Sequence, residues 1–98
     1  MARVTLDDAA LADAERILDH LVAHGVADAG ERVATLVSAL GLLERHPLIG
    51  RPAPSGLHEL VIGHGARGCL ALYRHEALDD VVVVLALRAR REGGCRRA

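Results

Sequence analysis

The stretch that decides the fold is residues 57–87, LHELVIGHGARGCLALYRHEALDDVVVVLAL. Apolar and β-branched residues dominate it, and short breaks fall at residues 63–68 and 76–79. This pattern predicts three strands, at residues 57–62, 69–75 and 80–87. Because breaks of this length are too short for crossover helices, the three strands are expected to be antiparallel neighbours.

The last of these strands contains four consecutive valines, at residues 81–84. It is apolar on both faces, which is typical of a strand in the interior of a sheet. One face of the sheet is expected to pack against helices. The other face must be covered by something else.

Two helical stripes precede this stretch. Residues 3–6 predict a short strand, and Thr5 with Asp8 matches the Thr-x-x-Asp pattern of a capping box before a helix. Apolar residues then recur at helical spacing on either side of a break at residues 25–30, as Leu11, Ala14, Leu18, Leu21 and Val22 and as Val33, Leu36, Val37, Leu40 and Leu43. The short break predicts a helical hairpin with both stripes on a common surface. His46-Pro47 is expected to end the second helix, and the proline-rich residues that follow are expected to form a stiff connector.

These elements predict an α+β domain of order β-α-α-β-β-β, with the helical hairpin on one face of a twisted, mainly antiparallel sheet. The 98 residues form one predicted domain, 1–98, with residues 92–98 as a flexible tail. A hydrophobic content of 51% excludes intrinsic disorder. No apolar run approaches the roughly 20 residues of a membrane span. Because no export-signal pattern is present, we expect a cytoplasmic protein.

Charge is divided unevenly along the chain. Residues 1–45 hold four arginines and eight acidic residues, a net charge of −4, whereas residues 46–98 hold eight arginines and five acidic residues, a net charge of +3. Every basic residue is arginine. A basic half on a near-neutral protein indicates a polyanionic or acidic partner on one face.

Several motifs favour a structural interpretation over a chemical one. Residues 63–68 match G-x-G-x-x-G, but a strand rather than a helix follows them, so no dinucleotide cofactor is expected. His20 and His24 have metal-ligand spacing without further ligands nearby, and Cys69 and Cys95 are too few for a disulfide scaffold or a zinc site, so no metal is expected either.

Two histidines each stand beside a glutamate, in His58-Glu59 and His75-Glu76. An imidazole and a carboxylate are the materials of acid–base chemistry. Adjacent strand residues point to opposite faces, however, so neither pair is expected to act as a dyad by itself. Tyr73 is expected at the edge of the core.

The arginines of the basic half present two open alternatives. Arg67, Arg74, Arg88, Arg90 and Arg91 fall in a hairpin loop or near strand ends. If these ends converge, the guanidinium groups make a concave positive patch that suits phosphate groups or an acidic protein. Otherwise these arginines are separate, solvated side chains at the ends of strands.

The order and spacing of several segments resemble the RelE/ParE family of bacterial type II toxins. The segments are HPLIGRP at residues 46–52, GLHEL at 56–60, LYR at 72–74 and VLALR at 84–88, followed by Arg91-Glu92. The resemblance implies a growth-inhibiting toxin of a plasmid-stabilisation-type module. Its implied partner is a cognate antitoxin that wraps sheet and helix surface in a toxin–antitoxin hetero-oligomer.

The resemblance leaves three hypotheses for activity. A ParE-like toxin binds DNA gyrase, which is the hypothesis favoured here because Cys95 and Ala89 stand where RelE-like relatives often carry Tyr and His. A RelE-like toxin is a metal-independent, ribosome-dependent mRNA endonuclease. The candidate catalytic residues are then Arg67, Arg74, Arg88, Arg91 and His75, with His64 as the alternative histidine. In the third, a degenerate and non-toxic member binds its antitoxin and acts only in autoregulation.

Overall fold

The computed structural model describes residues 1–63 and 68–89 of the chain. A single-turn 3-10 helix lies at Pro54–Gly56. The elements in chain order are β1 (Arg3–Leu6), α1 (Asp8–Ala23), α2 (Ala29–Ala39), α3 (Leu42–Arg45), β2 (Arg51–Ala53), β3 (Leu57–Ile62), β4 (Cys69–Glu76) and β5 (Val81–Ala89).

The strands form one five-stranded sheet in the order β1-β5-β4-β3-β2. β1 runs parallel to β5, and the other neighbours are antiparallel. The predicted α+β class, with helices on one face of a mainly antiparallel sheet, is therefore confirmed. The valine-rich strand β5 is interior, as predicted, although β4 lies at the middle of the sheet.

The sequence pattern missed strand β2. Its residues Arg51–Ala53 pair with β3 inside the segment that was expected to be a connector. Proline cannot donate to a strand ladder, so it is tolerated mainly on edge strands. As an edge strand, β2 needs hydrogen bonds on one side only and can include Pro52.

A bulge sets the two faces of β5. Tyr73 lies opposite Val84 and Leu72 opposite Ala86, so Leu85 is an extra residue on β5. The extra residue reverses the alternation. Val84 and Leu87, three positions apart, therefore point to the same face, and both are fully buried.

That face, the covered face, holds the core against the helices. Tyr73, Val82, Val84 and Leu87 of the sheet share one buried cluster with Ile17, Leu36, Leu40 and Leu43 of the helical layer. The predicted stripe on α1 is rotated. Ala10 and Ile17 are buried, whereas Leu11 and Val22 are 51% and 61% exposed. On α2, Leu36 is buried as predicted, whereas its neighbour Val37 is 42% exposed.

The predicted start of the first helix and the continuity of the second were wrong, whereas the helical region does end at Arg45, just before His46-Pro47. Thr5 belongs to β1, and α1 is preceded by Asp7 as N-cap, without a side-chain capping hydrogen bond. The second predicted helix is two helices, α2 and α3. At their junction the N–H of Leu40 and of Gly41 bond to carbonyls three residues back, and this tighter turn ends α2.

The opposite side of the sheet is the open face, against which no helix of residues 1–63 and 68–89 packs. The strand register assigns its side chains. They are Arg3, Thr5, Arg51, Ala53, Leu57, Glu59, Val61, Leu70, Leu72, Arg74, Glu76, Val81, Val83, Ala86 and Arg88.

Candidate functional site

The open face combines an apolar centre with charged margins. Leu70, Leu72 and Val83 are only partly buried at its centre, and Val61 beside them is 38% exposed. Two ion pairs flank this centre, Arg51 Nη2 to Glu59 Oε1 at 3.2 Å and Arg74 Nη2 to Glu76 Oε2 at 2.9 Å. The arrangement provides a surface for binding an amphipathic partner.

Arg74 and Arg88 share the open face but not one rim of the sheet. Arg88 lies opposite Leu70, and Arg74 lies four residues further along β4, opposite Val83. A four-residue step along a strand is about 13 Å. The structure does not bring these two arginines together, because the carboxyl ends of antiparallel neighbours lie at opposite edges of a sheet.

Other candidate residues fall elsewhere in the chain. His64, Arg67, Arg90 and Arg91 lie outside the residues that the structure describes, as do Cys95 and the predicted tail at residues 92–98. The catalytic roles suggested for Arg67, Arg74, Arg88, Arg91 and His75 stay predictions.

His75 lies on the covered face, away from Arg74 and Arg88. Its ring Nε2 is 3.0 Å from Asp80 Oδ1, and its side chain is 14% exposed. Asp80 has a positive φ of 53° in the β4–β5 turn, and its carbonyl accepts the N–H of Arg3. His75 therefore joins the turn to the start of β1, and the structure does not bring it together with either arginine.

Tyr73 is enclosed by the loop before β2. It is fully buried, its ring stacks on His58 at a centroid distance of 5.5 Å, and the Gly50 N–H donates to its hydroxyl oxygen at 2.9 Å. A Cβ on Gly50 would lie 2.6 Å from the Glu59 carbonyl oxygen and 2.8 Å from the Tyr73 hydroxyl. Only glycine can be accommodated at position 50, because any side chain there would clash with the Glu59 carbonyl and the Tyr73 ring.

Burial raises the pKa of the Tyr73 phenol, and the hydrogen bond from Gly50 partly opposes that rise. Desolvation disfavours the charged phenolate. His58 beside it has a buried Nδ1 without a hydrogen-bond partner among the described residues. This enclosed pair supports the interpretation of Tyr73 as a core residue rather than a reactive phenol.

Sequence reasoning missed Asp13 and Arg16 on α1. Asp13 Oδ2 accepts the backbone N–H of Leu87 at 3.0 Å, and Arg16 Nη2 donates to the Leu87 carbonyl at 3.5 Å. β1 pairs with β5 only from Val81 to Val84. The two side chains thus satisfy the backbone N–H and carbonyl of Leu87, which lies beyond the residues that pair with β1. The available sequence signal was a pair of polar residues, Asp13 and Arg16, spaced i and i+3 on the helix that packs on the sheet.

The described ranges hold neither a metal-ligand cluster nor a membrane-spanning helix. His20 and His24 stack at 4.2 Å, and no group of three potential metal ligands occurs within residues 1–63 and 68–89. No helix in these ranges combines the length and the apolar character that crossing a bilayer requires.

A cavity of about 290 Å³ lies between α2 and the ends of β3 and β4. Its floor is apolar, and its rim includes the ion pair of Arg32 Nε with Asp28 Oδ1 at 3.4 Å. It opens on the helical side, separate from the open face. Its lining residues are Asp28, Glu31, Arg32, Thr35, Leu36, Ile62, Gly63 and Cys69.

Helices packed on one face of a five-stranded mixed sheet define a small α+β fold, and comparison with known proteins specifies the family. The family model described as "ParE toxin of type II toxin-antitoxin system, parDE" matches residues 4–93. The chain belongs to this ParE toxin family, within the wider ParE/RelE group of type II toxins.

Solved structures show the same fold. A chain of the chromosomal ParDE toxin–antitoxin system from P. aeruginosa matches with a TM-score of 0.75 and 22% identity, over 91% of this chain and 96% of that one. A chain of the RelBE2 toxin–antitoxin complex from Mycobacterium tuberculosis matches with a TM-score of 0.58 and 24% identity, over 91% and 98%. These identities establish likeness of fold alone. No curated protein sequence matches the chain.

Proposed function

We propose that this toxin arrests bacterial growth by binding DNA gyrase, in the manner of ParE-like toxins, and that it does not cleave RNA. The observation that carries the proposal is the separation of His75, on the covered face, from Arg74 and Arg88 on the open face. The match of the ParE family model over residues 4–93 supports the same assignment.

RNA cleavage by side chains needs proton transfer and charge stabilisation at one phosphate. The acid or base must lie within hydrogen-bond reach of the reacting group, with cations directed at the developing charge. Arg74 and Arg88 are about 13 Å apart along the strand, and Arg74 is paired with Glu76. Tyr73 is buried. In the described part of the chain, these groups favour binding over catalysis.

The proposed partner in the cell is a cognate antitoxin, in a cytoplasmic toxin–antitoxin hetero-oligomer. The two solved structures compared above come from toxin–antitoxin systems, ParDE and RelBE2. The partly buried apolar centre around Leu70 and Leu72, which no helix of residues 1–63 and 68–89 covers, supports a stable protein partner, because contiguous apolar patches on a surface mark interaction sites.

Growth arrest and target can be tested with three proteins. We expect the wild-type chain to stop growth and to inhibit gyrase supercoiling, and we expect Arg88→Ala on the open face to weaken that inhibition several-fold. Arg45→Ala, an exposed arginine on α3, is the matched control and should inhibit like the wild type.

Other results would favour the rival hypotheses. Cuts in ribosome-bound mRNA that disappear in Arg88→Ala would support a RelE-like endonuclease. Normal growth with soluble toxin present, together with promoter binding by the toxin–antitoxin complex, would support the non-toxic autoregulatory module.

A further inference from the structure

We infer that the loop before β2 presents an apolar tip, formed by Leu48 and Ile49, that inserts into an acidic cleft of DNA gyrase. The inference rests on the proposed function for the identity of that target. The structure adds which part of the toxin makes the contact. It also indicates the chemistry of the cleft, an apolar pocket with carboxylates at its border.

The loop tip consists of two large apolar side chains that the fold leaves in solvent. Leu48 is 61% exposed, and its neighbour Ile49 is 52% exposed. Single exposed apolar residues are common on protein surfaces, but two adjacent ones form a small contiguous patch. Because burial of apolar surface is favourable, a partner that covers both side chains gains affinity from them.

The loop that carries the tip is held in one shape. The N–H of Ile49 donates to the His46 carbonyl at 3.1 Å, and the N–H of Gly50 donates to the Tyr73 hydroxyl at 2.9 Å. Pro47 fixes one backbone dihedral angle in the same turn. These contacts order the loop before any partner arrives. Preorganisation of this kind lowers the entropy cost of binding.

The shape of the tip distinguishes the target from the antitoxin. A turn with two exposed side chains is convex, so it needs a concave site on the other molecule. Concave sites are formed by folded proteins, between domains or in clefts. A single segment that wraps the toxin as a helix or an extended strand does not form one. The tip therefore favours a large folded target over the antitoxin.

The border of the tip is basic. Residues 46–52 contain His46 and Arg51 and no acidic residue. Arg51 Nη2 pairs with Glu59 Oε1, yet the Arg51 side chain is 64% exposed. A guanidinium group has five N–H donors, so it can bind a carboxylate of the partner as well. A cleft lined with carboxylates is electrostatically complementary to this border, whereas a basic cleft is not.

The loop tip adjoins the open face of the sheet. Arg51 follows the loop directly, begins β2 and pairs with Glu59 on the open face. A target that contacts this margin of the open face therefore also meets the tip. Helix α1 packs against β5, which two strands separate from β2. The outer surface of α1 thus provides positions for control variants.

The test measures gyrase supercoiling at increasing concentrations of the purified full-length toxin. Leu48→Ala combined with Ile49→Ala should raise the concentration for half-inhibition about 30-fold or more, as for residues at the centre of an interface. Leu11→Ala on α1 is the matched control, because Leu11 is 51% exposed, and it should inhibit like the wild type. Melting curves establish that each variant is folded.

A second pair of variants tests the charge of the cleft. Arg51→Ala should weaken inhibition several-fold and reduce its dependence on salt, because a charge at the border of an interface acts mainly through electrostatic attraction. Arg32→Ala is the matched control, since Arg32 also forms an ion pair but lies on α2. If Arg51→Ala tightens inhibition, the cleft is not acidic and the inference fails.

The outcomes separate this inference from the proposed function. Equal inhibition by the wild type and the double variant would overturn the inference while the proposed function stands. Absence of gyrase inhibition by the wild type would overturn both. The antitoxin, the product of the neighbouring open reading frame, should bind the double variant like the wild type. Loss of that binding with unchanged gyrase inhibition would identify the antitoxin as the occupant and overturn the inference.

Discussion

The two faces of the sheet have similar apolar strands but different surroundings. On β5, Val84 is fully buried on the covered face, whereas its neighbour Val83 remains partly exposed on the open face. The helices and the loop before β2 enclose the covered face, whereas ion-paired side chains border the open face. The contrast shows that the covered face provides the stability of the domain, while the open face is available for recognition.

The largest expected effect comes from placing a charge on each face in turn. Val84→Asp buries an unpaired carboxylate and should lower the free energy of unfolding by more than about 4 kcal/mol. Val83→Asp, one residue away, should cost about 1 kcal/mol, mainly through poorer strand propensity. Urea denaturation of both variants checks this. Equal losses would show that the open face is as much a part of the core as the covered face.

This contrast between neighbours also shows what the sequence could predict. Strand β3 and the approximate extents of β4 and β5 followed from alternation and turn residues. The sequence did not show which residues of β5 point to which face. An unbroken apolar run does not distinguish the two faces, and the bulge at Leu85 reverses the alternation of side chains. Strand β2 was hidden because its proline is typical of loops, and only its edge position makes it compatible with a strand.

The candidate site was predictable in composition but not in arrangement. The excess of arginine and the need for a cover on the second sheet face followed from the sequence. The placement of Arg74 and Arg88 depends on strand direction, which sends adjacent carboxyl ends to opposite edges. The contact of Asp13 with Leu87 spans 74 positions, and no local pattern reports a contact at that separation.

An intermediate effect is expected where the loop closes over the covered face. Gly50→Ala would force a Cβ against the Glu59 carbonyl and the Tyr73 ring, and should destabilise the domain by about 2 kcal/mol, in the range of overpacked cores. Gly30→Ala is the control, since nothing lies within 4 Å of its added Cβ. Within α2 that change should raise stability by up to about 1 kcal/mol. Thermal melts compare the two, and an undisturbed Gly50→Ala would mean that the loop yields easily.

The smallest effect concerns the phenol under that loop. Tyr73→Phe leaves the Gly50 N–H without its acceptor and should cost about 1 kcal/mol near neutral pH. Burial raises the pKa of Tyr73 above its unfolded value, which is about 10. The wild type should therefore keep this contribution below about pH 10 and lose stability as the pH rises further, because the unfolded chain ionises first.

The Tyr73→Phe variant should not lose stability in this way at alkaline pH, because it has no phenol to ionise. Denaturation curves from about pH 8 to about pH 11 measure the difference. The chain has one tyrosine and no tryptophan, so ultraviolet absorbance of the phenolate reports this group alone. An ordinary tyrosine titration in the folded wild type would contradict the enclosure of the ring.

The contact of Asp13 and Arg16 with Leu87 has a consequence for solubility. An unpaired strand border is a template on which other chains can polymerise. Here Asp13 and Arg16 of α1 supply an acceptor and a donor to Leu87, so the backbone groups of Leu87 stay paired while α1 stays docked. Loosening of that helix would expose the backbone groups of Leu87 together with apolar core surface, so partial unfolding should favour self-association.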